Sequence, residues 1–561
     1  VSGEGAARLG WRAYLLLLLT ALALYLPGRA SLPPVDRDEA RYLQATRQMM
    51  ASGDYVDIRF QDQPRNLQPA GVYWLEAAAV KLFAGGNDRA VWAYRIPSLV
   101  AAILAVVLTA RLCAGLFGPT AGLAAGLLLA ASTLLGFEAR MAKIDACLLA
   151  AVLVAQSALI HAYLGRVRGA GRLNALGFWI ATGIGLLLKG PIILIVSGTT
   201  VLALWAMDRR AGWLKRLHAG WGALVAVAIA APWFVAIGLR THGAFFHKAV
   251  AQNLLGKIGR GEQHHGQPPG YYLAIANLTF WPGALAAAFA APWAWRARGR
   301  PEVRALIAWI VPTWLIYEAI GTKLPHYVLP LYPAVACLAA GAATTAEGWR
   351  TGRFTRVAAW LYGAVWLLVS LALAAAGSLL CWRFGHGLDP VALGAGLVVA
   401  ALAAATLWLV QAGARGVALT TGVMAAVALN AEVYGYVLPR QTPLWLGRSI
   451  AAVAAGLAPC PTSVLASTRF TEPSLVFADR GRVRMIEPRG AADLIAHDPR
   501  CTMAVVGADQ LAAFRARAAA DGVTLAPRGG LDGFDYSTGR TRALSFWTAS
   551  EAPPPAPPGS D

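Results

Sequence analysis

The chain has 561 residues, 57% of them hydrophobic and only 14% charged, with a mean hydropathy of +0.52. That composition excludes an ordinary soluble protein and indicates an integral membrane protein. A formal net charge of +20 would suggest a nucleic-acid partner in a soluble chain, but here the basic residues lie between apolar runs and carry another meaning.

In chain order, apolar segments fall near residues 11–27, 92–112, 119–137, 145–164, 174–188, 190–206, 219–238, 271–294, 303–321, 326–345, 356–377, 391–410 and 416–437. Their lengths predict a polytopic α-helical membrane protein with about thirteen transmembrane helices. The run from Trp11 to Leu26 is read as a retained span, because no small-residue cleavage site follows Pro27.

Alternate short loops carry Arg166, Arg168 and Arg172; Arg209, Arg210, Lys215 and Arg216; Arg296, Arg298, Arg300 and Arg304; and Arg350, Arg353 and Arg356. With Arg8, Arg12, Arg111 and Arg415 they make about eighteen positive charges on one side, against about five in the short loops opposite, so the positive-inside rule sets the orientation. The N-terminus is expected in the cytoplasm. The first loop (28–91), a second large loop (239–270) and everything after about 438 are expected outside. No nucleic-acid partner is expected, and the chain is expected to be a monomer.

The first outer loop reads as a helix opening at Asp38-Glu39 and closing near Ser52-Gly53-Asp54, an extended stretch, and a second helix from about Gly71 to Phe83. Tyr42, Leu43, Met49 and Met50 give the first helix a mixed apolar face that suits the membrane interface. Beyond the last span, Thr462 to Thr468, Ser474 to Ala478 and Thr502 to Val506 read as strands, and Ala491 to His497 and Ala508 to Ala520 as helices. A small α/β domain is therefore expected over 438–548, followed by a disordered tail over 549–561 rich in proline. Cys460 and Cys501 both fall in that domain, where an oxidising compartment permits a bridge, while Cys381 is expected in a short outer loop.

Chemistry is expected at the outer mouth. Asp38 and Glu39 begin a surface helix soon after a membrane exit, where a carboxylate can deprotonate an acceptor hydroxyl; their blander role is to complement the helix dipole. Arg140, Lys143 and Asp145 sit at the mouth of a span, where ionisable groups are expected to pair or to bind something. Arg140, Lys143, Lys189 and Lys323 all fall in short outer turns, where topology gives no reason for cations. As a set they suit a lipid phosphate. Lys323 lies beside His326 and Tyr327 in a proline-rich turn, and adjacent His264 and His265 lie in the second outer loop. No Cys or His spacing is a zinc signature, no cofactor is indicated, and a divalent metal is left open.

Arg37-Asp38-Glu39-Ala40-Arg41-Tyr42, Gly53-Asp54, Arg140 with Asp145, Leu188-Lys189-Gly190-Pro191, Pro232-Trp233-Phe234 and Lys323-Leu324-Pro325-His326-Tyr327 form an ordered set from about residue 11 to 340. The set resembles the polyprenyl-phosphate-dependent membrane glycosyltransferases, the group of aminoarabinose transferases and protein O-mannosyltransferases (dolichyl-phosphate-mannose-protein mannosyltransferase-like). The resemblance implies a GT-C fold and an inverting transfer on the periplasmic face of a bacterial inner (plasma) membrane. The sugar would come from a polyprenyl (undecaprenyl or decaprenyl) phosphate and pass to a lipid, lipopolysaccharide or other envelope glycan.

Carried over, Asp38 is the general base and Glu39 and Asp145 are acidic site residues. Arg140, Lys143, Lys189, Lys323 and His326 would hold the donor phosphate. Arg41, Tyr42, Gln68, Tyr73, Trp74, Tyr327, His264 and His265 would line the substrate site. One departure bears on the substrate: Gln68-Pro69-Ala70 stands where aminoarabinose transferases carry Lys-Pro-Pro. An amide supplies no positive charge, which leaves a neutral hexose, a pentose or a uronic acid open as the sugar. A lipid or glycolipid transporter or flippase is the rival reading, but it would place acids near mid-span and broken helices in matching halves.

Overall fold

The computed structural model of the chain describes residues 9–65, 67–166, 171–249, 266–345, 353–385 and 387–550. It divides into two compact units, one formed by 1–32 with 45–438 and the other by 33–44 with 439–561. The division crosses the helix Asp38–Ser52, so the segment expected as part of the first outer loop contributes its start to the second unit.

Each of the thirteen apolar segments is helical in the first unit. Among the described residues eight helices are long and apolar enough to cross a membrane, and Trp11–Tyr25, Pro119–Ala131 and Ile192–Asp208 are shorter apolar helices. Two expected spans are interrupted, and 119–137 breaks at Ser132 into the helices Pro119–Ala131 and Thr133–Glu138. Residues 271–294 form two helices, Tyr271–Thr279 and Ala284–Arg296, separated at Phe280 to Gly283 where the chain carries Pro282.

Small residues let these helices touch. A side-chain carbon on Gly122 would lie 2.6 Å from the Ala110 carbonyl oxygen, so the helices Ile96–Phe117 and Pro119–Ala131 meet backbone to backbone. Cys381, expected in a loop, is buried within the helix Arg353–Phe384, and Cys113, Cys147 and Cys337 are likewise buried free thiols.

The helix Asp38–Ser52 has the acids of its first turn at the expected place. On its apolar face Tyr42, Leu43 and Met49 are buried in protein, as are Gln44, Thr46 and Arg47. A second helix, Gly71–Ala84, follows as expected. Gly71 is needed there for a physical reason, since a side-chain carbon would come within 2.7 Å of the Leu187 carbonyl oxygen. The outer helix is thereby seated two residues from Lys189.

The second unit holds a five-stranded mixed sheet, ordered Arg484–Met485, Val464–Ser467, Thr502–Gly507, Arg540–Ala549 and Leu525–Asp535. The first three strands run parallel and the last two add antiparallel. The central strand Thr502–Gly507 is buried along its whole length. Ala504 and Val506 from it join Ile495, Phe514 and Trp547 in one core, with the helices Pro488–His497 and Leu511–Ala520 supplying the cover.

Ser474 to Ala478, expected as a strand, is instead part of the helix Pro473–Ala478, which starts with proline at its first position. The long hairpin Leu525–Asp535 with Arg540–Ala549 was not expected, because Pro527, Gly529, Gly530 and Gly533 disguise its edge strand. Cys460 and Cys501 are joined in a disulfide that closes a 41-residue separation.

Candidate active site

Four segments of the first unit converge on one group of charges. The helix Thr133–Glu138 ends in a carboxylate, and the turn that follows carries Lys143 and delivers Asp145 as the first residue of the helix Asp145–Tyr163. The helix Gly171–Lys189 ends in the lysine, and the 3-10 turn Pro325–Leu331 supplies His326 and Tyr327. Charges at helix ends face one another here because an apolar segment tolerates them only at its mouth.

Lys189 Nζ lies 2.5 Å from Asp145 Oδ1, and Lys143 Nζ lies 3.0 Å from Glu138 Oε1 and 3.6 Å from Asp145 Oδ2. His326 stands over both acids, with Nδ1 4.0 Å from Glu138 Oε1 and Nε2 3.9 Å from Asp145 Oδ1. The Lys189 ammonium also lies 5.4 Å from the centroid of the Tyr327 ring. Ser98 donates through its hydroxyl to the Lys143 carbonyl at 3.0 Å and so fixes the turn.

Exposure orders the group. The Glu138 and Asp145 side chains are 1% and 4% exposed, Lys143 8%, His326 12% and Lys189 15%. The carboxylates therefore lie beneath and the basic groups outermost. Such an arrangement presents positive charge to an incoming anion while neutralising its own desolvation cost from below.

Glu138, Asp145 and His326 offer three metal-ligand atoms within 4.8 Å of one another. Lys143 and Lys189 lie against Glu138 Oε1 and both Asp145 oxygens, while Glu138 Oε2 is buried with no hydrogen-bond partner among the described residues, so a divalent ion would compete with two ammonium groups for this donor set.

Not all of the expected residues join this group. Arg140 is fully buried and directs its guanidinium at backbone: Nε donates to the Pro27 carbonyl at 2.8 Å, and its other nitrogens to the carbonyls of Leu24 and Gly136. The Tyr434 ring lies 4.2 Å from it, which completes the enclosure. Arg140 is therefore a pin between helix ends, a correction to the phosphate role expected of it. Lys323 is corrected in the same way, because its ammonium donates to the carbonyls of Gln267 and Ile320, both at 2.8 Å. It ties the turn after the helix Pro301–Ala319 to the end of the second outer loop.

In the outer loop of the first unit, Tyr73 is fully buried and accepts a hydrogen bond from Arg65 at 2.5 Å. Trp74 donates to the Tyr55 carbonyl at 2.9 Å, and Gln68 is half-buried just ahead of the helix. Asp54 accepts from the Val56 and Asp57 amides and pairs with Arg240 at 2.8 Å, so it organises the turn after the first outer helix. His264 and His265 lie outside the described residues.

The Asp36 to Tyr42 signature belongs to the second unit. Glu39 is buried and accepts from the Val35 amide at 2.9 Å, closing the start of its own helix, whereas Asp38 is half-buried. Asp36 is held by neutral groups: it accepts from the Ser474 amide at 2.7 Å and from the Ser474 hydroxyl at 2.6 Å, and its own amide donates to the Tyr536 hydroxyl. Burial pushes its carboxyl up to about 7, against the Ser474 bonds that favour the ionised form. Arg37 pairs with Glu472 at 3.4 Å, and burial raises Glu472 above the usual carboxylate range.

Glu138 was the residue that sequence reasoning missed. Its signal was present as an isolated acid at the end of the apolar run 119–137, seven residues before Asp145.

With this geometry in view, comparisons with known proteins become specific. A family model described as dolichyl-phosphate-mannose-protein mannosyltransferase matches residues 67–235. The chain is 28% identical over 338 residues to the undecaprenyl phosphate-alpha-4-amino-4-deoxy-L-arabinose arabinosyl transferase of Edwardsiella ictaluri, an alignment that covers 59% of each chain. It is 29% identical to the protein of the same name from Aeromonas salmonicida, over 64% of this chain and 65% of that one. The matched regions thus span less than two thirds of those relatives.

Among solved structures, ArnT from Cupriavidus metallidurans bound to undecaprenyl phosphate superposes with a TM-score of 0.74 at 19% identity, covering 95% of this chain and 97% of that one. The archaeal oligosaccharyltransferase AglB of Archaeoglobus fulgidus gives a TM-score of 0.52 at 12% identity, over 95% and 74% of the two chains. The fold is the GT-C fold, as expected from the sequence.

Proposed function

We propose that this chain is a membrane glycosyltransferase of the GT-C type that transfers a sugar from a polyprenyl phosphate donor to a lipid, lipopolysaccharide or other envelope glycan. The observation that carries the reading is the order of exposure at the helix mouths, with Lys189 and His326 outermost over Asp145 and Glu138. A phosphate diester has the charge that such a surface attracts. The named relatives use undecaprenyl phosphate-linked sugar, which supports the same donor class.

In this mechanism an acceptor hydroxyl attacks the anomeric carbon in line and with inversion, and gives its proton to a general base, the role that the family resemblance assigns to Asp38. The bond from the anomeric carbon to the phosphate oxygen breaks, and the lipid phosphate leaves with the electron pair. Lys189, Lys143 and His326 stabilise the charge that builds on that oxygen, and Asp145 holds Lys189 in place. No step is routed through a metal.

Gln68 bears on the substrate. The aminoarabinose transferases carry a lysine at the matching place, and the neutral amide here favours a sugar other than aminoarabinose, with an acceptor other than lipid A. Transport is not favoured, since Asp145 and Lys189 sit at helix ends rather than at mid-span. The chain would act in the inner membrane with its second unit in the periplasm.

The test is transfer by the purified chain from radiolabelled polyprenyl-phosphate sugars, with lipid and glycan mass spectrometry of cells with and without the gene to name sugar and acceptor together. Asp38→Asn is expected to abolish transfer while the protein still folds. Wild-type turnover by that variant would remove Asp38 as the base, and absence of any glycosylated acceptor with wild-type protein would remove the reading itself.

A further inference from the structure

At the other end of the helix Asp145–Tyr163, about 24 Å from Asp145 at 1.5 Å per residue, lies a cavity that the transfer reaction does not use. It has a volume of about 290 Å³ and opens between the helices Ile96–Phe117, Asp145–Tyr163 and Gly171–Lys189. Its polar wall is made by Arg111, His161 and Asn174, and its apolar wall includes Leu108, Val154 and Leu173.

Among the described residues, no ion pair compensates the Arg111 charge in this cavity. Arg111 is exposed and makes no hydrogen bond or ion pair among the described residues, while the neighbouring Arg166 is already paired with Glu302 at 2.5 Å. His161 Nδ1 is 2.6 Å from the Ser157 carbonyl, so this nitrogen carries a proton and donates, leaving Nε2 for another partner. Arg111 and Arg166 both lie within electrostatic reach of His161, and the Glu302 carboxylate is taken by Arg166. Leu173, at the rim, is 72% exposed, as suits a side chain that meets acyl chains.

We propose that this cavity binds the phosphate head group of an anionic phospholipid in the leaflet on the arginine-rich side of the membrane. The arginine supplies a fork for phosphate oxygens, the imidazole Nε2 accepts from a head-group hydroxyl such as that of phosphatidylglycerol or cardiolipin, and the leucine-lined wall makes a bed for the first carbons of an acyl chain. A free phosphate ion shares the head-group chemistry but would leave the apolar wall unused. The site stands whatever sugar the chain transfers.

The test is native mass spectrometry of the full-length chain in detergent, titrated with phosphatidylglycerol, cardiolipin or phosphatidylcholine. One anionic lipid is expected to be retained in preference to phosphatidylcholine, and Arg111→Gln is expected to weaken that retention about tenfold. Arg111→Lys keeps the charge and is expected to retain most of the binding, which separates loss of a charge from loss of fold. His161→Phe gives a second, independent reduction.

Equal retention of phosphatidylcholine, or undiminished anionic-lipid binding in both Arg111→Gln and His161→Phe, would overturn the site. So would full displacement of the lipid by millimolar inorganic phosphate, because it would make the ligand a free anion. Persistence of the lipid under the same phosphate challenge supports the proposal.

Discussion

Each of the two units draws an aspartate out of water, Asp145 buried and Asp36 half-buried, and they are held in opposite ways. Asp145 in the membrane unit sits between two ammonium groups, with Lys189 at 2.5 Å and Lys143 at 3.6 Å. Asp36 in the second unit meets only the hydroxyl and amide of Ser474 on its oxygens. A buried carboxylate beside fixed cations remains an anion and can serve as a counter-charge that orients them. One that meets neutral donors in a desolvated place takes up a proton near neutral pH instead. Depth of burial alone thus says little about the role of an acid, whereas the charge of its neighbours says a great deal.

The comparison breaks most visibly at Lys189. Lys189→Ala is expected to lower transfer about 100- to 1,000-fold while Lys143 still covers the carboxylates and the protein still folds, read by turnover of labelled donor alongside thermal unfolding in detergent. Unchanged turnover would mean that the Asp145 pair is structural, like the pins at Arg140 and Lys323.

On the second unit, Cys460→Ser opens the 41-residue loop and is expected to cost about 2–4 kcal/mol of its stability under oxidising conditions, read by denaturant unfolding against the reduced wild type. Equal stability of oxidised and reduced protein would remove the bridge from the ledger of that unit.

The pH dependence sharpens the contrast. Because the Asp36 carboxyl is raised from its ordinary value to about 7, its protonated form is the one that folding favours. The associated stability is full below the ordinary carboxylate range and is lost as pH rises through about 7, a slope worth about 2 kcal/mol between pH 5 and 7. Asp36→Asn mimics the protonated form and is expected to flatten that slope, as followed by the unfolding midpoint of the second unit from pH 5 to 8. A slope that survives the substitution would assign the titration to another group.

The smallest expected effect belongs to Lys323. Lys323→Met frees two carbonyls and is expected to cost about 1–3 kcal/mol of stability while changing transfer far less than Lys189→Ala does. A loss of transfer as large as that of Lys189→Ala would restore Lys323 to the phosphate site.

Much of this was legible in the chain. The thirteen apolar segments, the two helices of the first loop and four of the five elements expected beyond the last span follow from periodicity and length, because a bilayer and a sheet impose fixed spans and periods. The hairpin Leu525–Asp535 with Arg540–Ala549 was hidden, because its glycines and proline carry no strand signal and the pairing is made by partners rather than by local preference. The helix Pro473–Ala478 was hidden by its shortness.

At the site, unexpected charges in short turns identified Lys143, Asp145, Lys189 and His326 as candidates, and the structure brings them together. The same signal drew in Arg140 and Lys323, which look alike in sequence. A cation in a turn is equally conspicuous whether it faces a carboxylate or a carbonyl, and only the direction of its side chain tells the two apart.

By itself, then, the sequence determined that this protein crosses a membrane many times and that ionisable groups gather at the helix mouths. Hydrophobicity and charge act locally and leave their mark residue by residue. Tertiary structure alone decided that Glu138 lies under Lys143, that Gly71 seats its helix against Leu187, and that Arg111 has no counter-charge among the described residues. These are pairings between distant segments, and the energy of a pair depends on distance and burial, which no single stretch of chain contains.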